Sequence, residues 1–488
     1  MSPRRFFTPA ATLLWLVYAL FFVAGVAQAA IVPLLPRLSG HFHLAATETA
    51  LLLALPGLAT LAVSVPSGLA ADRFGARRVS LAAGILLSLS SLAQATPSLA
   101  ALLVGRVAFG IAYGVVWTTG MAWLSDMDGA GGGSRLGASV TCSSVGIMAG
   151  PAIAGLLAQH LGLAAPFLAI AAAAAAVVAP LALTGGGSSR PPRSVPASAG
   201  SLSPRAMRAL LRRPGVAAAA GALVVSGAVS GVSQLLISGG LHHAGLSTGR
   251  IGLAFSAAAV CYIVVSAGVV RLGPRAQTLR FNAAATALLA LGLVPALGGA
   301  GAAGLIGALL LTAAPRAAVS TIAYSLASDP DPQARGGEGL VFGMLNGGWA
   351  AATVLMPLLA GALEQHDGAS AGYLGVIAPS LAIALWLLVR AAPQAAAPAG
   401  NRTRRVAQAR VRGAQERARV VHARVRGAHQ RARLAHGRWA EARLAHDGRR
   451  RRRRPLAARG TYVVGPPPGA HHRERDRAFA NAGVRQIL

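Results

Sequence analysis

The segment Gly68-Leu-Ala-Ala-Asp72-Arg73-Phe-Gly75-Ala-Arg77-Arg78 gathers an aspartate and three arginines between two long apolar runs. A carboxylate beside guanidinium groups forms charge-assisted hydrogen bonds, or sits at the exposed amides of a helix N-terminus. The positive-inside rule accounts for arginines in such a connection, but not for Asp72 or for Gly68 and Gly75. Two more arginines stand inside apolar runs: Arg106, close to the start of one, and Arg316, near the middle of another. At lipid depth a charge costs about 2.5–3.5 kcal/mol on insertion scales, so each calls for a partner or a watery cavity. Arg106 fits either an ion or proton pathway or snorkelling to an interface. Arg316 fits contact with a substrate or a coupling acid, or ordinary structural pairing. No Asp, Glu or His lies deep in an apolar run. Glu48 is the acid nearest to lipid depth on its side, and beside Thr47 it also suits a helix N-terminus. The coupling candidates are therefore Glu48, Arg106 and Arg316.

The elements that position these residues follow from hydropathy. The 488 residues are 54% hydrophobic and 12% charged, and the apolar residues come in blocks of the length that spans a bilayer. Twelve runs stand near 9–34, 46–70, 78–97, 100–124, 135–159, 163–183, 215–239, 249–270, 278–297, 301–327, 338–363 and 371–391. Lipid cannot satisfy backbone polar groups, and no strand-like alternation is present, so the runs read as helices. The N-terminal run, though followed by Ala27-Gln28-Ala29, is too long for an ordinary leader and reads as the first span.

The net charge of +31 divides into +12 over residues 1–391 (21 arginines, 9 acids) and +19 over 392–488 (24 arginines, 5 acids). If the chain starts inside, the odd-numbered connections hold only Arg37 and Arg250, and the remaining loop arginines fall inside with the tail. The positive-inside rule then places both termini in the cytoplasm. Thr184 to Arg205, rich in Gly, Ser and Pro, reads as a flexible linker. The expected organisation is a six-helix half at 1–183, a cytoplasmic linker at 184–213, a second six-helix half at 214–391, and an arginine-rich tail at 392–488.

An internal repeat supports the division. Ser125-Asp126 at the end of span four matches Ser328-Asp329 after span ten, and Gly150-Pro151 to Gly155 matches Met356-Pro357 to Gly361. Polar residues Gln28, Gln234 and Asn346, with the aromatics Tyr113, Trp117, Tyr262 and Trp349, are candidates to line a central cavity. Cys142 and Cys261 fall within apolar runs and read as packing residues. There is no phosphate-binding loop, metal cluster or nucleophile constellation, so neither an enzyme nor a cofactor is expected.

The Gly68–Arg78 segment resembles the G-x-L-x-D-R-x-G-R-R signature of the major facilitator superfamily, between the second and third spans where that family carries it. Ala76 departs from the first basic position. Leu103-Val-Gly-Arg106-Val-Ala-Phe-Gly110 is similar to the family's second signature, with Phe109 in place of a polar residue. Gly146-Ile-Met-Ala-Gly150-Pro151-Ala-Ile-Ala-Gly155 resembles the antiporter signature of its proton-coupled exporters. The resemblance implies an all-α membrane protein with twelve transmembrane helices in two pseudo-symmetric halves. It also implies that Gly68, Asp72, Arg73, Gly75, Arg77 and Arg78 form a conformational latch, with Asp72 at the N-terminus of span eleven and an arginine paired to Asp126.

The function implied is secondary active transport: proton-coupled efflux of small amphiphilic molecules by a monomer in the plasma (inner) membrane. An uptake symporter or a facilitator of the same fold is the alternative. A non-transporting scaffold with a polyanion-binding tail is the alternative of another class. The tail repeats ARVRGAQERARVVH (Ala409–His422) as ARVRGAHQRARLAH (Ala423–His436). It is expected to be largely solvated and partly helical, to contact anionic lipid, and to bind no specific nucleic acid.

Overall fold

The computed structural model describes residues 9–127, 133–183, 208, 211–297, 301–327 and 338–391. The expectations for the arginine-rich tail, and for most of the linker, lie outside the described residues.

Among the described residues twelve helices are long and apolar enough to cross a membrane. The first, α1, runs Pro9–Ala30, passes a 3-10 turn at Val32–Leu34 and ends as Leu35–Phe42. The break follows from Pro33 and Pro36, which have no backbone N–H to give to the helix. Then come α2 (Ala46–Phe74), α3 (Ala76–Gln94), α4 (Leu99–Met127), α5 (Gly133–Leu161) and α6 (Ala165–Leu183). The second half begins with α7, made of Pro214–Val232, a π-helical turn Ser233–Ile237 and Ser238–His243. It continues through α8 (Thr248–Leu272), α9 (Leu279–Leu291), α10 (Gly301–Ala327), α11 (Glu338–Asp367) and α12 (Ala369–Ala391).

Several helices outrun the apolar stretches that announce them. Hydropathy marks only the lipid-facing length, whereas the helix continues until something stops it. For α2 the stop is Gly75, whose φ of +88° an L-residue rarely adopts; it closes α2 and opens α3 at once. Asp72 and Arg73 are therefore helical residues of the last turn of α2.

The repeat in the sequence is a repeat in the packing. Gly25 of α1 lies on the Ser143 carbonyl of α5, and Gly227 of α7 lies on the Trp349 carbonyl of α11. Gly155 of α5 meets the Thr248 carbonyl of α8, and Gly361 of α11 meets the Ala46 carbonyl of α2. So α5 and α11 each pack one helix of their own half and one of the other. The outer faces carry exposed Val104, Leu183, Val264, Leu288 and Leu385, an apolar exterior that hydrocarbon tolerates and water does not.

Candidate functional site

Among the described residues the hydrogen bonds that join the halves fall toward one end, and Gly57 of α2 meets Val354 of α11 nearer the middle. At that end Ser238 Oγ donates to the Val32 carbonyl at 2.7 Å, joining α7 to α1. Thr47 Oγ1 donates to Gln365 Oε1 at 2.9 Å, joining α2 to α11. Between α5 and α8, the Gly249 N–H donates to Gln159 Oε1 at 3.1 Å and the Ala152 N–H to Ser256 Oγ at 3.0 Å. The second of these lies beside Pro151, the proline inside α5. Gly252 rests on the Pro151 carbonyl itself. This junction is made of neutral hydrogen bonds and backbone contact across glycines, so it breaks without separating buried charges.

The Gly68–Arg78 loop sits at the opposite end, where no hydrogen bond joins the halves among the described residues. Asp72, Arg73 and Arg78 are exposed, and Asp72 makes no ion pair or side-chain hydrogen bond there. Arg77 Nη2 donates to the Leu181 carbonyl at 3.1 Å, at the C-terminus of α6, where a cation is favoured. Arg73 lies 5.3 Å from the ring centroid of Phe74. A Cβ on Gly68 would stand 3.9 Å from Thr118, ordinary contact. Asp126 falls in the last turn of α4, and its side chain lies outside the described residues, as does its expected pairing.

The three glycines of the α5 motif divide their work. Gly146 rests on the Phe22 carbonyl of α1, and a Cβ on Gly150 would stand 2.7 Å from the Val26 carbonyl. Both knit α5 to its own half. Gly155 and Pro151 face α8 across the junction.

Between the two ends lie the polar groups. In the second half Arg316 Nη1 donates to Ser230 Oγ at 3.1 Å, and its guanidinium carbon stands 5.3 Å from the Tyr262 ring centroid. Gln234 Nε2 donates to both the carbonyl and the hydroxyl of Ser230, 3.3 Å each. Tyr324 donates to Asn346 Oδ1, and Trp349 on the same helix is 39% exposed. In the first half Phe109, Tyr113 and Trp117 form a ladder along α4, with centroids 5.8 and 6.2 Å apart, and Phe21 meets Trp117 edge-on at 5.3 Å. Trp117 Nε1 and Ser143 Oγ are buried beside the Tyr113 hydroxyl, which interacts with both. Gln28 is half-buried on α1 with no side-chain hydrogen bond among the described residues. The structure thus gathers Arg316 and Gln234, and separately Tyr113 and Trp117. Two apolar clefts lie elsewhere, about 270 Å³ between α11 and α12 and about 200 Å³ between α1, α5 and α6.

The sequence model of the Major Facilitator Superfamily matches residues 17–340. The chain belongs to that superfamily. Its relatives include an uncharacterized MFS-type transporter of Schizosaccharomyces pombe, 37% identical over 119 residues, which are 24% of this chain and 27% of that one. The class C tetracycline resistance protein of Escherichia coli is 35% identical over 147 residues, 29% of this chain and 36% of that one. These matches span roughly a quarter to a third of the curated relatives' length. Among solved structures, a bacterial homolog of the human lysosomal transporter Spinster, inward-facing and unoccupied, aligns with a TM-score of 0.60 at 14% identity. That alignment covers 80% of this chain and 96% of the homolog, and it speaks to fold alone.

In this major facilitator chain Arg106 has a specific structural partner. Pro56 inside α2 lacks an N–H, so the Leu52 carbonyl four residues earlier loses its helical donor. Arg106 Nε supplies one from α4 at 2.8 Å. Gly110, one turn on, lets Pro56 in: a Cβ there would stand 2.6 Å from the Pro56 Cα. Phe109 flanks the guanidinium, whose carbon is 5.3 Å from the ring centroid, so the departure from the family's polar residue supplies a cation–π contact. Arg106 is 2% exposed. Glu48 makes no ion pair with it among the described residues, and instead accepts the Ala45 N–H through Oε2 at 2.8 Å, capping α2.

A double-mutant cycle checks this assignment. Arg106→Met is expected to lower stability by about 1.5–3 kcal/mol, because it strands a buried carbonyl. In a Pro56→Ala background the helix regains its own donor, and the cost of Arg106→Met should largely vanish. Unfolding midpoints of the four purified proteins measure the coupling. Equal losses in both backgrounds would remove the carbonyl as the reason for the arginine.

Sequence reasoning missed Gln159, Ser230 and Ser256, ordinary polar residues that only tertiary packing singles out. It also passed over Glu364. This half-buried carboxylate lies in the last turn of α11, within electrostatic reach of His243 and Tyr373. The expected end of span eleven at 363 hid it by one residue.

Proposed function

We propose that this chain is a secondary transporter working by alternating access, a monomer that exports small amphiphilic molecules across the plasma membrane in exchange for protons. The observation that carries the reading is the placement of the hydrogen bonds between the halves: among the described residues all of them lie on the side away from the latch sequence, whose Asp72, Arg73 and Arg78 are exposed. The positive-inside rule supports a cytoplasmic latch end, and a molecule less tightly joined on that side is suited to loading cargo for export. The antiporter-like α5 motif at the junction, and a relative named for tetracycline resistance, favour the outward direction. Facilitated diffusion is the second reading, favoured because every carboxylate among the described residues lies in the first or last turn of its helix.

Proton exchange then falls to carboxylates at the junction. Glu48 and Glu364 are the immediate neighbours in sequence of Thr47 and Gln365, whose hydrogen bond closes α2 against α11. An acid near an interface loads and releases protons without the full cost of central burial. Glu48→Gln keeps an acceptor for the Ala45 N–H while removing the titrating group. The pair of variants Glu48→Gln and Glu364→Gln is expected to abolish the dependence of efflux on a proton gradient and to leave passive exchange measurable. Gradient-driven efflux at the wild-type rate in the double variant would reject these carboxylates as the proton carriers. Wild-type efflux indifferent to a collapsed gradient would make facilitated diffusion the function.

A further inference from the structure

The polar cluster of the second half contains a cation that pairs with no carboxylate among the described residues. Arg316 is the sixteenth of the 27 residues of α10, midway along the helix. Its guanidinium carries five N–H donors, and its one hydrogen bond among the described residues is to Ser230 Oγ. None of its nitrogens is both fully buried and unpartnered, so each donor not bonded to Ser230 keeps some accessible surface. The acids of the described residues, Glu48, Asp72, Asp126, Glu338, Glu364 and Asp367, all lie in terminal turns of α2, α4 and α11. Arg106, the buried arginine in the early turns of α4, is committed to the Leu52 carbonyl.

We propose that the transported molecule is an organic anion whose acid group is held by Arg316. This rests on the transport reading above and names its substrate class. Guanidinium matches a carboxylate, sulfonate or phosphate through paired N–H donors, and the match strengthens where water is scarce. Ser230, already polarised by Arg316 and Gln234, adds a hydroxyl beside the acid group. Tyr262, under the guanidinium, and the exposed Trp349 offer flat apolar faces to an aromatic or aliphatic body. A cationic molecule meets repulsion at the same spot, and a neutral one leaves the guanidinium without a counter-charge, so the site selects by charge.

Fluorescein, an anion at neutral pH, and rhodamine 123, a cation on the same ring system, test the charge preference directly. Binding is read as the shift in unfolding midpoint of the purified full-length protein over a dye titration. Wild type should bind fluorescein at least tenfold more tightly than rhodamine 123. Arg316→Gln should weaken fluorescein at least tenfold, and Arg316→Lys, which keeps the charge without the paired geometry, should fall between. Ligand-free midpoints of both variants identify any loss of folding, and the dye preference of wild type decides independently of them. No fluorescein binding, equal or tighter binding of rhodamine 123, or undiminished fluorescein binding by a folded Arg316→Gln overturns the proposal. Transport of neutral or cationic amphiphiles in proteoliposomes alongside such a result leaves the transporter reading standing, whereas failure of every amphiphile to cross removes that reading too.

Discussion

Gly252→Val is expected to reduce transport at least tenfold while leaving insertion and abundance near wild type. Gly252 sits on α8 where its missing side chain admits the Pro151 carbonyl of α5, with the Ala152 Cα 3.3 Å from where a Cβ would stand. Backbone cannot step aside as a flexible side chain can. A branched side chain there costs about 1–3 kcal/mol in overpacking, and only in the state whose junction is closed. The populations of the two states then shift by a factor of roughly 5–150. A cysteine placed at Thr47, in a background lacking Cys142 and Cys261, should react faster with a membrane-impermeant thiol reagent in the valine variant. Gly239 on α7 has no atom within 4 Å of a Cβ, so Gly239→Ala serves as the silent control. Wild-type transport and wild-type labelling in Gly252→Val would mean that this contact does not hold the junction.

Asp72→Asn is expected to act on the other state. Here Asp72 is exposed and makes no ion pair among the described residues, so its substitution costs little in the conformation described. In the state closed at the latch end a carboxylate at a helix N-terminus contributes up to about 2 kcal/mol, which asparagine only partly replaces. Transport should fall about tenfold at unchanged abundance, and labelling at position 47 should slow rather than quicken. Because the two substitutions push the same equilibrium in opposite directions, Asp72→Asn combined with Gly252→Val should recover part of the lost transport. A double variant worse than either single one would show that they damage separate steps.

Much of the fold was legible because lipid imposes a simple code. Blocks of apolar residues with arginines between them mark twelve spans. The match of Pro151 to Pro357 and of Gly155 to Gly361 announced the pseudo-symmetry that the packing then displays. Helix ends were less legible, since the ends of α2, α5 and α11 depend on capping rather than hydropathy. That is how Glu364 escaped notice.

The candidate site was legible in residue types and not in pairings. Arg106 was flagged as a costly charge, but its reason lies in Pro56, on another helix and 50 positions earlier in the chain. Glu48 and Arg106 were grouped by depth, whereas each has its own backbone partner. Gln159 and Ser256 accept backbone amides across the junction, and nothing in their sequence surroundings distinguishes them. Arg316 was readable as an expensive cation; that its surroundings hold hydroxyls and rings instead of carboxylates required the structure.

Export by alternating access driven by protons, the function proposed, is tested most directly in inside-out membrane vesicles with an acidic lumen, given fluorescent amphiphiles of each charge from the outside medium. The expected result is accumulation of at least one amphiphile above vesicles lacking the protein, lost when an ionophore collapses the pH gradient and lost in Gly252→Val. Accumulation only in right-side-out vesicles, or none in either orientation, would contradict it.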